Sequence, residues 1–248
     1  MHTENKGIFN PNPLFGKTLV ACGDSFTEGD FSGWTDSEGR ARTESPIIYD
    51  KEWGVYKTYP WWIARRNGMK LYNLAKCGGV MALTKKYLDS PTTEDINYAH
   101  PFAHETYKNI PKDADYILIM YGLNDMYKCN LGTIDDTTNE TFYGAFNTVY
   151  EYLIEHHPLA KIGAIISNAY LAEDYAEAIR AVSVKWGIPY LDLMKNREIS
   201  TTLNKEGMCA RARELRNATF FVSSSNSHPN HLAHEYMSTY VEDFLRRL

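Results

Sequence analysis

Tyr116-Ile117-Leu118-Ile119-Met120-Tyr121, closed by Gly122, is a run of six apolar or aromatic residues with no polar position among them. Successive side chains of a strand point to opposite faces, so this run has no face to offer to water and must be covered on both. A parallel sheet with helices above and below meets that demand. Further largely apolar segments that read as strands lie at 19–22, 70–75, 161–166 and 189–193. Between them apolar residues return at helical intervals. Trp61, Trp62 and Ile63 lie in a segment 58–68 with Pro60 in its first turn and Gly68 at its end. Phe142, Phe146, Val149 and Leu153 follow Thr137 and Glu140, which have capping-box spacing. Tyr175, Ile179, Val182 and Trp186 run to Gly187, and Leu232, Tyr236, Tyr240, Phe244 and Leu248 stripe a last helix. The stretch 206–216 reads as a helix of mixed charge. The pattern predicts an α/β chain: a three-layer α/β/α sandwich, flavodoxin-like, with a central parallel sheet of about five strands.

A chain of 248 residues suits one large domain spanning 1–248. Two polar stretches, about 30–57 and about 89–113, read as insertions, because loops this long are uncommon unless they have work to do. The net charge of −5 lacks the basic footprint of a nucleic-acid binder, so no such partner is expected. The first 17 residues carry no apolar signal-peptide core and no later stretch is apolar enough to span a membrane. The chain as given therefore reads as cytoplasmic and without a membrane partner, with export by another route left open. Cys22, Cys77, Cys129 and Cys209 form no C-x-x-C pair, so neither a metal site nor a disulfide framework is signalled, and no cofactor is expected. Oligomeric state stays open.

The first strand stops abruptly at Gly23-Asp24-Ser25, and Gly29 follows four residues after the serine. In open α/β sheets ligands bind outside the carboxyl ends of the strands, so Ser25 stands where a hydroxyl can act. Taken alone, the segment equally fits a βα turn in which Asp24 and Ser25 satisfy loop amides. Three further segments fall at strand ends or helix starts: Asn73-Leu74-Ala75-Lys76-Cys77-Gly78, Gly122-Leu123-Asn124-Asp125 and Ser227-His228-Pro229-Asn230.

In this order the four segments resemble the four sequence blocks of the SGNH hydrolases, also called the GDSL esterase/lipase family. The resemblance covers the whole chain, with insertions after the first and second blocks. It implies a serine esterase with Ser25 as nucleophile and His228 as general base. A serine hydroxyl needs such a base, and imidazole titrates near working pH. It further implies an oxyanion hole built from the backbone N–H of Ser25, the N–H of Gly78 and the side-chain amide of Asn124, with no metal.

One position departs from the family pattern. Three residues before the histidine, where an aspartate normally orients the imidazole, stands Ser225. Three outcomes are open: a hydroxyl or backbone carbonyl near Ser225 orients His228, a carboxylate from elsewhere in the chain substitutes, or the site is weak or inactive. In serine proteases altering the equivalent aspartate costs about ten-thousandfold in rate.

The remaining signals divide between functional and structural readings. Trp34, Tyr49, Trp53 and Tyr56 follow the nucleophile in the first insertion. Their rings suit a sugar, which makes an O-acetyl carbohydrate ester the expected substrate, with Trp34, Trp53 and Asp24 as substrate contacts; the other reading is a local minicore. Arg40, Arg42 and Lys57 are candidates for an acidic substrate or for a solvated surface. His228, His231 and His234, and separately His100 and His104, have spacings that bring a metal to mind, and both read better as non-ligating. Asp125 reads as a structural hydrogen-bond acceptor. Against the esterase stands a reading from another class, a non-catalytic carbohydrate-binding module on the same fold. Either way the partner is a small-molecule or saccharide ester or glycan.

Overall fold

The structure, a computed structural model, describes residues 12–169, 171–196 and 208–248. Among them the elements run β1 (Thr18–Gly23), α1 (Ser25–Glu28), β2 (Tyr49–Asp50), β3 (Val55–Tyr56), α2 (Tyr59–Asn67) and β4 (Lys70–Asn73). Next come α3 (Lys85–Asp89), α4 (Thr93–Ala99), β5 (Tyr116–Met120), α5 (Asp125–Lys128), α6 (Phe142–His156) and β6 (Lys161–Ile166). The chain ends with α7 (Glu173–Trp186), β7 (Tyr190–Asp192), α8 (Ala210–Phe220), β8 (Phe221–Ser223), β9 (Asn226–Pro229) and α9 (His231–Arg247).

Five strands form one parallel sheet in the order β4-β1-β5-β6-β7. Counted along the chain these are strands 2-1-3-4-5, the flavodoxin-like order, whose switch point lies between β1 and β5. The two-residue period of the strands sorts their side chains into two cores. Val20, Cys22, Ile117, Ile119, Ala164 and Ile166 join the apolar faces of α6 and α7 on one side. Leu19, Tyr116, Leu118, Met120, Ile165 and Leu191 join α2 and α9 on the other. The three-layer sandwich is thus the one expected, and the uninterrupted run 116–120 is its doubly covered centre, buried at every position.

Pro60 and Gly68 do what their positions predict. Pro60 lies in the first turn of α2, and Gly68 ends it in the left-handed region at φ 63°.

Three local expectations are corrected. Helix α6 starts at Phe142 with Thr141 as its cap, the hydroxyl accepting from Gly144 N–H at 3.2 Å. Thr137 and Glu140 therefore lie before the helix, and their spacing did not mark its start. The second insertion, about 89–113, holds the short helix α4 and a 3-10 turn at Thr106–Asn109, while α3 precedes it and reaches only its first residue. Helix α8 runs beyond 216 to Phe220, while positions 206 and 207 of that expectation lie outside the described residues. On α9 the apolar stripe is misphased: Leu232 and Tyr236 are exposed, and the buried face is Ala233, His234, Met237, Ser238, Val241, Phe244 and Leu245. Two polar side chains, His234 and Ser238, sit inside that face beside Ala233, Met237 and Val241, whereas the expected stripe ran through the larger side chains one position earlier, Leu232, Tyr236 and Tyr240.

No helix among the described residues is long and apolar enough to cross a membrane.

Candidate active site

Ser25 begins α1 directly where β1 ends, at the switch-point edge of the sheet. The turn is tight. A Cβ on Gly23 would run into the Thr27 hydroxyl and come within 2.8 Å of the Met120 carbonyl, so glycine is the residue that lets the strand pass this close to its neighbour. Asp24 caps α1, its carboxylate accepting from Phe26 N–H at 2.9 Å. It is 2% exposed, and burial pushes its pKa up to about 7. A side chain so enclosed and so engaged is a cap, which corrects its expected role as a substrate contact.

Ser25 Oγ lies 2.8 Å from His228 Nε2. His228 comes from β9, the second strand of the β8–β9 hairpin, and its ring packs against Phe26 with centroids 5.4 Å apart. Its Nδ1 is 2.6 Å from Asn226 Oδ1, which also accepts from the His228 backbone N–H at 3.1 Å. The other end of the same amide fixes its orientation: Asn226 Nδ2 donates to the Ser32 carbonyl at 3.0 Å, an atom that can only accept. Oδ1 therefore faces the imidazole, Nδ1 must carry the proton, and Nε2 presents its lone pair to the serine hydroxyl. This is the tautomer a general base requires.

Behind the amide stands Asp30. Its Oδ2 is 3.9 Å from His228 Nδ1, and Asn226 Nδ2 reaches both its carbonyl and its Oδ1 at 3.5 Å. Burial works against ionisation of Asp30, but bonds from Ser32, the neighbouring His228 and Asn226 outweigh it and hold the carboxyl below its usual value. Burial lowers the pKa of His228, and Asp30 partly opposes that.

Ser225 is elsewhere. It is exposed in the β8–β9 turn, where its hydroxyl lies 3.1 Å from Ser223 Oγ and its N–H bonds the same atom. The expected orienting role for Ser225 is thus corrected: Asn226, one position on, faces the ring. A strand places residues two apart on one face, so Asn226 was legible from its spacing to His228. Asp30 had no local signal.

The expected oxyanion donors converge on the same edge. Gly78 is in the left-handed region at φ 77°, open to glycine without strain. Its loop is tied down on both sides, by Lys76 N–H on the Gly23 carbonyl at 3.0 Å, Cys77 N–H on Glu28 Oε2 at 2.5 Å and Gly79 N–H on the Lys76 carbonyl at 2.9 Å. Asn124 caps the edge of α5 and spends one amide hydrogen on the Gly79 carbonyl at 3.1 Å, which leaves the second for a ligand. Asp125, fully buried, binds Met81, Ala82 and Gly122 N–H groups at 2.8, 3.1 and 3.1 Å. It is the structural acceptor expected, and it fixes the Asn124 loop against the segment after Gly78.

Other candidates resolve into packing. Trp34 meets His231 edge-on at 5.7 Å and packs on the Phe31, Ile48 and Val222 cluster, and Trp53 lies under Arg65 of α2 at 5.4 Å. Tyr56 touches both Tyr49 and Phe31. These ring contacts build the local minicore of the alternative reading. Tyr49 and Tyr56 do line a cavity of about 300 Å³ that reaches α1 at Glu28. Arg40 is ion-paired with Asp36 and Glu38, while Arg42 donates to the Ser32 hydroxyl and Lys57 to the Pro46 carbonyl. The histidine runs split up. His228 is on β9, His231 and His234 are on α9, His100 ends α4 and His104 packs on Tyr87. No group of three or more metal-ligating side chains gathers among the described residues.

No protein-family profile and no curated protein matches the sequence. Solved structures do. A protein from Lactobacillus plantarum is similar at a TM-score of 0.65 and 21% identity over 94% of this chain and 98% of its own. A protein from Bacteroides ovatus described as a GDSL-like lipase is similar at 0.61 and 18% identity over 94% and 99%. A carbohydrate esterase family 2 enzyme from Myceliophthora fergusii, joined to a carbohydrate-binding domain, is similar at 0.54 and 14% identity over 96% and 68%. The chain therefore has the fold these proteins share, the one implied by the four sequence blocks.

Proposed function

We propose that this chain is an SGNH-type serine esterase that hydrolyses a carboxylic ester, in particular an O-acetyl ester of a saccharide, through an acyl-enzyme on Ser25. The observation that carries the reading is the Ser25 Oγ to His228 Nε2 contact of 2.8 Å with Nδ1 locked on Asn226 Oδ1. As Ser25 Oγ attacks the ester carbonyl, His228 Nε2 takes its proton. The oxyanion is met by Ser25 N–H, Gly78 N–H and the free amide hydrogen of Asn124. Imidazolium then protonates the departing alcohol, and water enters by the same route in reverse to release the acid. Asn226 and Asp30 are positioning residues. The amide sets the tautomer, and the carboxylate favours the imidazolium that forms. Asp30 thereby supplies the charge absent at Ser225, the substitution by a distant carboxylate that the sequence left open. The saccharide part of the reading draws on the similar carbohydrate esterase fold and on Tyr49 and Tyr56 beside α1.

A fluorophosphonate probe should label the protein at Ser25, and Ser25→Ala should abolish both labelling and hydrolysis of small acetyl esters. Glycan binding with neither labelling nor turnover would establish the carbohydrate-binding module instead.

A further inference from the structure

Next to the oxyanion loop lies a second cavity, of about 310 Å³, large enough for a sugar unit. Its walls come from α3, α4 and α5 and include Lys85, Lys86, Tyr98, Tyr127, Lys128 and Asp95. Lys128 joins it to the reaction centre: its ammonium donates to the Gly78 carbonyl at 3.1 Å and stands 5.2 Å from the Tyr98 ring centroid.

The charge balance of this wall is unusual for the chain. Three lysines face one carboxylate, and that carboxylate, Asp95, is already engaged by Lys86 and by the Thr92 hydroxyl. Lys85 and Lys128 have no carboxylate at ion-pair distance among the described residues. Two uncompensated cations thus meet at one cavity of a protein whose net charge is −5. Beside them Tyr98 and Tyr127 are 72% and 73% exposed, which leaves large aromatic faces in water at the rim. Single exposed tyrosines need no explanation. Two at one cavity mouth, with two lysine ammonium groups that no carboxylate neutralises and a direct link through Lys128 to Gly78, match what an anionic sugar requires: a ring to stack on and cations for its charge.

We propose that this cavity is the subsite for a carboxylate-bearing sugar, a uronic acid unit of the ester substrate, with Lys85 and Lys128 on its carboxylate and Tyr98 and Tyr127 on its ring. The proposal rests on the esterase reading for its place in catalysis, while the binding it demands is measured separately. Methyl glucuronoside and methyl glucoside, which differ only at the carboxylate, are titrated by NMR into the Ser25→Ala protein. The glucuronoside binds about fivefold or more tightly at low salt. That preference collapses at about 0.5 M salt, where such pairs are screened, and in Lys85→Gln. Tyr98→Ala weakens both sugars. Equal affinities, no binding of either sugar, or a preference that neither salt nor Lys85→Gln changes overturns the proposal. Fluorophosphonate labelling of the unaltered protein reports the esterase reading independently, so a selective cavity on an unlabelled protein would leave the subsite standing and remove the enzyme.

Discussion

Asp30→Asn isolates the charge behind His228 while keeping the side chain's shape. In the unaltered protein a carboxylate oxygen lies 3.9 Å from Nδ1 of a ring that becomes cationic during acylation. At that distance the attraction is about 1 kcal/mol at the dielectric constant of water and about 4 kcal/mol at an effective value of about 20. The two side chains are 28% and 26% exposed, so the expected contribution falls between these limits, near about 2 kcal/mol. kcat/KM should therefore drop about 30-fold. This is less than the loss at a directly bonded triad aspartate, because the atom touching Nδ1 here is Asn226 Oδ1. The pH profile carries a second signature. Burial already lowers the pKa of His228 and Asp30 raises it, so the acid limb of kcat/KM should lie below the ordinary histidine value of about 6.5 and move lower still in the variant. The assay is hydrolysis of a small acetyl ester from pH 4 to 9, with kcat and KM separated. Loss should fall on kcat, since Asp30 does not touch substrate. A drop of less than about threefold with an unmoved limb would refute the electrostatic role, and an equal drop in rate with the limb in place would make Asp30 a structural anchor for Asn226 only.

Asn124→Ala should lower kcat by about 10² to 10³ by removing an oxyanion donor, with Ser25 labelling retained but slowed. Ser225→Ala should leave ester hydrolysis within about twofold, since that hydroxyl bonds Ser223 and not the imidazole. Asp24→Asn tests the buried cap by thermal melts at two pH values. The folded pKa of Asp24, about 7, lies above the unfolded value of about 3.9, so its carboxyl favours folding below about pH 4 and loses that contribution as pH rises to about 7. Asparagine caps comparably and does not ionise. The variant should melt near the unaltered protein at pH 4 and above it at pH 8, by at most about 4 kcal/mol in stability, and a gap that does not widen with pH would sink the argument.

Much of the molecule is local information. The doubly apolar run 116–120, the glycine ends of β1 and α2 and the Ser25, Gly78, Asn124 and His228 blocks act through neighbours within a few residues, so their patterns specified the sheet, its layers and the edge where the site forms. The environment of His228 is different. Asn226 could be read from strand spacing, but Asp30 reaches it across 196 positions, and that meeting depends on how the β8–β9 hairpin packs on the loop after α1. No pattern near either residue encodes such a contact. Helix α9 carries two neighbouring apolar stripes at helical spacing, and packing on α2 and the sheet decided that the one through Ala233, Met237, Val241 and Leu245, with His234 and Ser238 beside it, is the buried one. Sequence by itself determined the fold and which serine and histidine meet. Only the tertiary structure decided what holds that histidine, because orientation and charge at a site depend on atoms brought together through space.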